Sequence, residues 1–250
     1  MRNIKLLMEY DGSRYDGWQK QPGNPNSITI QDKIESVLSK MENEEVNVIG
    51  ALRTEAGVHA YGQVANFTTK STMKLYEIKH YLNRFLPRDI AVLEVWEVPE
   101  RFHSSFSANG FRYEYKISMG EVQSVFDRKY NYYSFKKLDS RPMKEGAKHL
   151  IGTHDLKAFS DNKRMKKSTV RTINSIDIYS DINEIIITIE GDDFWPNMAR
   201  IIAGTLVSMG EGKLEPDKMK EIIEKKDRSL AGETMEAKGL FLSEVLYMDK

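Results

Sequence analysis

Residues 4–10 read Ile-Lys-Leu-Leu-Met-Glu-Tyr and residues 29–41 read TIQDKIESVLSKM, and the change of period between these two stretches decides the fold. In the first, Ile4, Leu6, Met8 and Tyr10 alternate along the chain, the period-two pattern of a half-buried strand. In the second, Ile30, Ile34, Val37, Leu38 and Met41 return to one side of a helix. Thr29, with Asp32 three residues on, supplies an N-terminal capping pair for it. Working outward, strands are predicted near Val46 to Gly50 and near Gln63 to Phe67. A second amphipathic helix carries Leu75, Ile78, Leu82, Phe85 and Leu86 and stops at Pro87. Ile90 to Val98 reads as a closing strand.

The order of strand, helix, strand, helix and strand then recurs more loosely. Phe111, Tyr113, Tyr115 and Ile117 alternate as a strand, and Met143, Ala147, Leu150 and Ile151 suit a helix entered through Pro142. Ser175 to Tyr179 and Glu184 to Glu190 read as a hairpin around Asp181 to Asn183. Met198, Ile201, Ile202, Leu206 and Met209 give a helix ended by Gly210 and Gly212, and Pro216 opens another holding Met219, Ile222 and Ile223. Leu240 to Tyr247 is the last strand. The coarse expectation is an α+β protein of two ferredoxin-like halves, residues 1–105 and 106–250.

The 250 residues are 40% hydrophobic and 30% charged, a soluble, globular composition, and no stretch approaches the roughly 20 apolar residues that a membrane-spanning helix needs. The start, MRNIKLLMEYDG, is interrupted by Glu9 and Asp11 before a signal-peptide apolar core can form, so a cytoplasmic location is expected. Zero cysteines exclude disulfides, thiolate metal sites and cysteine nucleophiles. Lys and Arg number 37 and are balanced by 37 Asp and Glu, so any basic surface must come from local clusters. Glu42, Glu44 and Glu45 concentrate acid. Lys163, Arg164, Lys166, Lys167 and Arg171 form a basic run with no intervening carboxylate, either a solvated loop or a phosphate contact.

No glycine-rich phosphate loop follows a strand in the required pattern, which leaves nucleotide hydrolysis and dinucleotide redox without support. Five histidines are scattered. His149 and His154 lack a third clustered ligand, and no metal is expected. The densest polar segment is Gly50-Ala51-Leu52-Arg53-Thr54-Glu55-Ala56-Gly57-Val58-His59-Ala60, a connection between two strands. Loops so placed display chemistry, and Gly57 can adopt backbone angles barred to other residues. From the residues alone the segment is equally a tight turn with a surface Arg53 and Glu55.

Arg53-Thr54-Glu55-Ala56-Gly57-Val58-His59-Ala60, followed by Gly62-Gln63, resembles the active-site signature of the pseudouridine synthase A family, in which aspartate stands at the place of Glu55. Tyr10-Asp11-Gly12, Gly17-Trp18-Gln19, Thr29-Ile30-Gln31, Asn83, Leu86-Pro87 and Asp89-Ile90 match further family elements in order. So do Phe102-His103, Phe106-Ser107-Ala108, Tyr113, Tyr115, His154-Asp155, Arg171-Thr172-Ile173, Asn197-Met198, Arg200 and Gly239-Leu240. The resemblance implies isomerisation of uridine to pseudouridine in the anticodon stem-loop of tRNA, with no cofactor and no metal. It further implies one extended antiparallel sheet with flanking helices and a central RNA-binding cleft, in a homodimer.

That reaction breaks the bond from ribose C1′ to uracil N1, rotates the base and joins C1′ to C5. A carboxylate beside the sugar can stabilise the positive character at C1′, bond to it or remove a neighbouring proton, and the residues do not choose among these. By motif, Glu55 takes the catalytic position, Tyr113 packs against the target base and Leu240 is an apolar wall. Arg171 pairs with the catalytic carboxylate, Arg53 helps to splay out the nucleotide, and Arg200 holds the pocket or the RNA backbone. Lys163, Arg164, Lys166 and Lys167 become candidate phosphate contacts. The chain departs from the family pattern at Leu52, Glu55, Ser105, Phe111 and Trp195. Glutamate keeps the charge but carries its carboxylate roughly 1 to 1.5 Å further, and about 1 Å of misplacement can cost roughly 10²-fold in rate. Two readings follow, an active isomerase with an adjusted pocket or a noncatalytic tRNA-binding or RNA-folding protein.

Overall fold

Among the described residues, alternating and helical periods condense into ten strands and five longer helices, an α+β protein. The computed structural model describes residues 1–162 and 168–248. Two compact units emerge, Met1–Asn109 with Leu242–Lys250, and Gly110–Phe241. The division reads 105/106 in the sequence. In the structure the chain stays with the first unit to Asn109 and returns to it at Leu242, because the last strand is hydrogen-bonded there, a pairing that apolar periodicity does not encode.

In the first unit β1 (Arg2–Tyr10), β3 (His59–Thr69), β4 (Ile90–Val98) and the end of β10 (Leu240–Tyr247) are ordered β4-β1-β3-β10, with β2 (Ile49–Gly50) on β3. Ile4, Leu6, Met8 and Tyr10 are buried, as their alternation requires. Against them lie α1 (Ile30–Glu42), which buries Ile30, Ile34, Val37 and Leu38, and α2 (Leu75–Phe85), which buries Ile78 and Leu82. Thr29 caps α1 by accepting the Asp32 N–H at 3.3 Å. Phe85, grouped with the apolar face by its spacing, is 53% exposed, because at the final residue of α2 its ring turns onto Tyr81, 4.6 Å between centroids.

The strand expected over Val46 to Gly50 shrinks to two residues. Side chains of α1 take the backbone groups that a ladder would use. Ser39 Oγ accepts the Val46 N–H, Glu35 Oε1 accepts the Val48 N–H, and Gln31 donates to the Val48 carbonyl, each at 3.0 Å. Val46 and Val48 are still buried. Their apolar character reports burial and not strand pairing.

In the second unit the order is β10-β5-β9-β8-β7, from the start of β10, β5 (Ala108–Met119), β9 (Glu184–Gly191), β8 (Val170–Ser180) and β7 (Gly152–Asp155). A short β6 (Tyr132–Ser134) runs parallel to β5, so the expectation of a wholly antiparallel sheet is corrected to a mixed one. The chain re-enters beside β5 in the same direction after a long excursion. The predicted hairpin forms, β8 against β9. Three helices accompany the strands, α3 (Ser140–Lys148), α4 (Met198–Gly210) and α5 (Lys218–Lys225). Asp139 caps α3, which places Pro142 within the first turn and not at its first position. Among the described residues no helix is long and apolar enough to cross a membrane.

Candidate active site

The segment from Gly50 to His59 links β2 to β3, and its backbone is held from beneath at several points. Ala51 N–H donates to Val64 O at 2.8 Å, Trp18 N–H to Thr54 O at 3.0 Å, and Gly57 N–H to Tyr15 O at 3.2 Å. Val58 N–H reaches Glu55 O at 3.1 Å, closing a four-residue turn. Gly57 has φ +77° at the third position of that turn, whereas Ala56 stays at negative φ, the signature of a type II turn. The two glycine-bearing elements near the start of the chain form the floor. A Cβ on Gly17, at φ +90°, would sit 2.5 Å from Thr54 O, and one on Gly12 would overlap the Val58 carbonyl. Close backbone approach is what these positions require.

Side chains tie the segment down a second time. Thr54 Oγ1 lies 2.8 Å from Tyr10 Oη, to which Gln63 Nε2 also donates at 3.3 Å while reaching Leu52 O at 2.9 Å. Burial pushes the Tyr10 hydroxyl far above the usual tyrosine range, against the pull of the Thr54 and Gln63 hydrogen bonds, and the Glu55 carboxylate adds to the rise. His59 is buried, and its Nδ1 accepts the Gly12 N–H at 3.1 Å. Asp11 Oδ1 is 3.3 Å from the same Nδ1. An accepting Nδ1 places the neutral ring's proton on Nε2, so the Asp11 approach is not an ion pair in that tautomer. Glu55 is half-buried and Arg53 exposed on this fixed loop. A carboxylate so mounted loses little orientation entropy when it meets a reacting centre.

The second unit assembles a cluster around the connection from β9 to α4. Tyr113 on β5 faces Ile189 on β9, is 4% exposed, and meets the edge of Phe194 at 5.1 Å with the rings at 82°. Arg171 on β8 pairs in register with His154 on β7. Its side chain, 13% exposed, ion-pairs with Asp193 at 3.0 Å, donates to Val170 O at 2.7 Å and lies 4.0 Å from the Trp195 ring centroid. Asp193 also accepts the Phe194 N–H at 2.9 Å. Residues 193–195 therefore join Tyr113 to Arg171. Asp193 and Phe194 were not singled out from sequence. The signal was present, two acids followed by two aromatics between an apolar strand and an apolar helix.

Arg200 lies in the first turn of α4, where Nη1 donates to Asn197 Oδ1 at 2.8 Å and Nε to Met235 O at 2.5 Å. Asn197 continues to Asp161 at 3.0 Å, which Arg228 meets at 2.9 Å. Arg200 thus holds local structure. Leu240, at the start of β10, is 1% exposed. Lys163, Arg164, Lys166 and Lys167 lie outside the described residues. His149 and His154 have separate partners, Asp217 at 3.5 Å and Ile151 O at 3.0 Å. Among the described residues no group of three or more His, Cys, Asp or Glu is arranged to hold a metal ion.

A family model described as tRNA pseudouridine synthase matches residues 6–107 and 147–248. A Clostridium tetani protein named tRNA pseudouridine synthase A 2 is 46% identical over 246 residues, covering 98% of this chain and 99% of that one. Proteins named tRNA pseudouridine synthase A from a Bacillus species and from Clostridium kluyveri are 45% and 44% identical, each over 99% of this chain and the whole of the relative.

Proposed function

The chain belongs to the tRNA pseudouridine synthase family, and from that premise we propose that Glu55 is the carboxylate with which it isomerises uridine to pseudouridine in tRNA. The observation that carries this reading is the doubly anchored loop. Thr54, on one side of Glu55, is held by Tyr10 and Trp18, and on the other Val58 closes a turn through Gly57. A carboxylate on a rigid mount suits a step whose transition state carries positive character at C1′.

Tyr113, backed by Phe194, receives the extruded base, and Leu240 contributes an apolar wall. Arg171, set by Asp193 and Trp195, is the cation that pairs with the catalytic carboxylate. Arg53, exposed beside Glu55, engages the phosphate of the flipped nucleotide. Arg200 acts by fixing Asn197 and Met235. Lys163, Arg164, Lys166 and Lys167 contact the RNA backbone, a role that rests on charge. The substrate uridines lie in the anticodon stem-loop, and the enzyme works as a cytoplasmic homodimer with no cofactor and no metal.

A noncatalytic tRNA-binding or RNA-folding protein is the second reading, favoured by the extra methylene at Glu55. Tritium release from C5-labelled uridine in a tRNA transcript separates the two. Turnover by wild type that vanishes in Glu55→Ala is the expected result, and mapping the modified position tests the anticodon assignment. Tight binding without turnover overturns catalysis, and rescue by Glu55→Asp would then identify carboxylate reach as the missing factor.

A further inference from the structure

A cavity of about 220 Å³ opens in the first unit between Arg14, Tyr15, Ile28, Lys33 and Pro87. Most of its surface is apolar although two of its five lining residues are cations, so Arg14 and Lys33 present their aliphatic stems to it and carry their charges at the rim. Its mouth is open, with Ile28 47% exposed and the Arg14 side chain 78%.

The walls are fixed by carboxylates that are thereby engaged. Tyr15 Oη donates to Asp89 Oδ1 at 2.6 Å, and Asp16 Oδ2 accepts the Ile28 N–H at 2.9 Å. Arg14 meets the other oxygen of Asp89 only at 3.8 Å, a solvent-exposed pair of little strength. Lys33, the fourth residue of α1, has no ion pair among the described residues. Two cations at the rim are therefore available to an anion.

The cavity adjoins the Glu55 loop through Tyr15, which lines it and whose carbonyl accepts the Gly57 N–H at 3.2 Å, inside the turn that Glu55 opens. Two residues on, Gly17 lies so close to Thr54 and Glu55 that a Cβ there would sit 2.5 Å from Thr54 O and 3.1 Å from Glu55 C. One hydrogen bond thus joins a wall of the cavity to the turn that carries the proposed acid.

We propose that this cavity holds an unpaired nucleotide of the tRNA close to the target uridine, its ribose and base against Ile28 and Pro87 and its phosphate at Arg14 and Lys33, an inference that rests on the tRNA-isomerase reading above. Size and charge favour that occupant. The volume is below the roughly 300–1,000 Å³ of a pocket for a free small molecule, which suits one unit of a longer chain. Protein interfaces deplete lysine, whereas a phosphate rewards a pair of cations.

The test measures binding of an unmodified tRNA transcript across salt concentrations by wild type, Arg14→Gln, Lys33→Gln and Ile28→Glu, with thermal melts confirming that each folds. Lys70→Gln is the control, since Lys70 follows Thr69 at the end of β3 opposite to Ala60. Arg14→Gln and Lys33→Gln are each expected to weaken binding about two- to five-fold and to lower the slope of log K against log salt by about 0.7. Ile28→Glu, which sets an acid in the mouth, should weaken it at least as much, and Lys70→Gln should change neither quantity. Arg14→Gln and Lys33→Gln variants that match Lys70→Gln overturn the nucleotide site, while Glu55-dependent turnover leaves the isomerase reading standing. Cytidine 5′-monophosphate is titrated in parallel. Saturable binding of it that Ile28→Glu abolishes with tRNA affinity intact assigns the cavity to a free mononucleotide and overturns the RNA contact. Loss of self-association in Ile28→Glu with tRNA affinity intact assigns it to a second copy of the chain and likewise overturns it. A wild type that binds no tRNA overturns both readings.

Discussion

The guanidinium of Arg171 lies 4.0 Å from the ring centroid of Trp195, and the same group holds Asp193 at 3.0 Å. A cation over an indole gains about 0.5–2 kcal/mol, more as the pair is desolvated. Here that gain fixes the plane of the arginine proposed to pair with the catalytic carboxylate.

Trp195→Leu is expected to lower kcat/KM for tRNA by roughly 2- to 30-fold, the kinetic equivalent of losing that contact. Trp195→Phe retains a ring face and should recover most of it. Steady-state tritium release measures both, and a leucine variant equal to wild type would show that the indole contributes nothing through Arg171.

Gly17→Ala should damage the site from a distance. The residue is held at φ +90°, and its Cβ would press on Thr54 O, so the cost combines about 1–2 kcal/mol of backbone strain with displacement of the Glu55 loop. Gly57→Ala, at φ +77°, introduces strain at the turn itself. Urea melts and turnover should fall in both. A stable, fully active Gly17→Ala would mean that the loop does not depend on this floor.

Asp161 supplies a pH prediction. Burial, the largest single effect, raises its carboxyl pKa, but hydrogen bonds from Arg228, Asn197 and Thr234 together with the Arg228 charge overcome it and leave the group below the usual carboxylate range. A carboxyl lowered on folding stabilises the protein above its unfolded pKa of about 3.9, and that contribution is lost as pH falls through the folded value. Asp161→Asn should therefore melt below wild type at neutral pH, with the gap closing as the solution is acidified past about pH 4. A gap independent of pH would assign the effect to packing.

Charge reversal of Lys166 and Lys167 should weaken tRNA binding and flatten its salt dependence, because each phosphate contact contributes about 0.7–0.9 to the slope of log K against log salt. Binding isotherms between low and moderate salt measure that slope. Identical slopes would remove the basic run from the interface.

Much of the fold was legible because its signals are local. Ile4, Leu6, Met8 and Tyr10 alternate and are buried, Thr29 caps α1, and the 175–190 hairpin forms where its apolar runs and turn residues place it. Val46 and Val48 misled because burial and pairing leave the same apolar trace, and only Glu35, Gln31 and Ser39 reaching across from α1 separate them. Glu55, Tyr113 and Arg171 were nominated for the candidate site by motif. Asp193 and Phe194 were not, since nothing in their spacing names the side chains they meet.

Sequence alone determined the periods of the strands and helices, the principal caps and the family, because each depends on residues close together in the chain or on a fixed order of motifs. Tertiary structure decided that the last strand rejoins the first unit, that Gly12 and Gly17 floor the Glu55 loop, and that Asp193 and Trp195 set Arg171. Those outcomes are choices of partner between residues far apart in the chain, and a hydrogen bond or a ring contact exists only once folding has brought both members to one place.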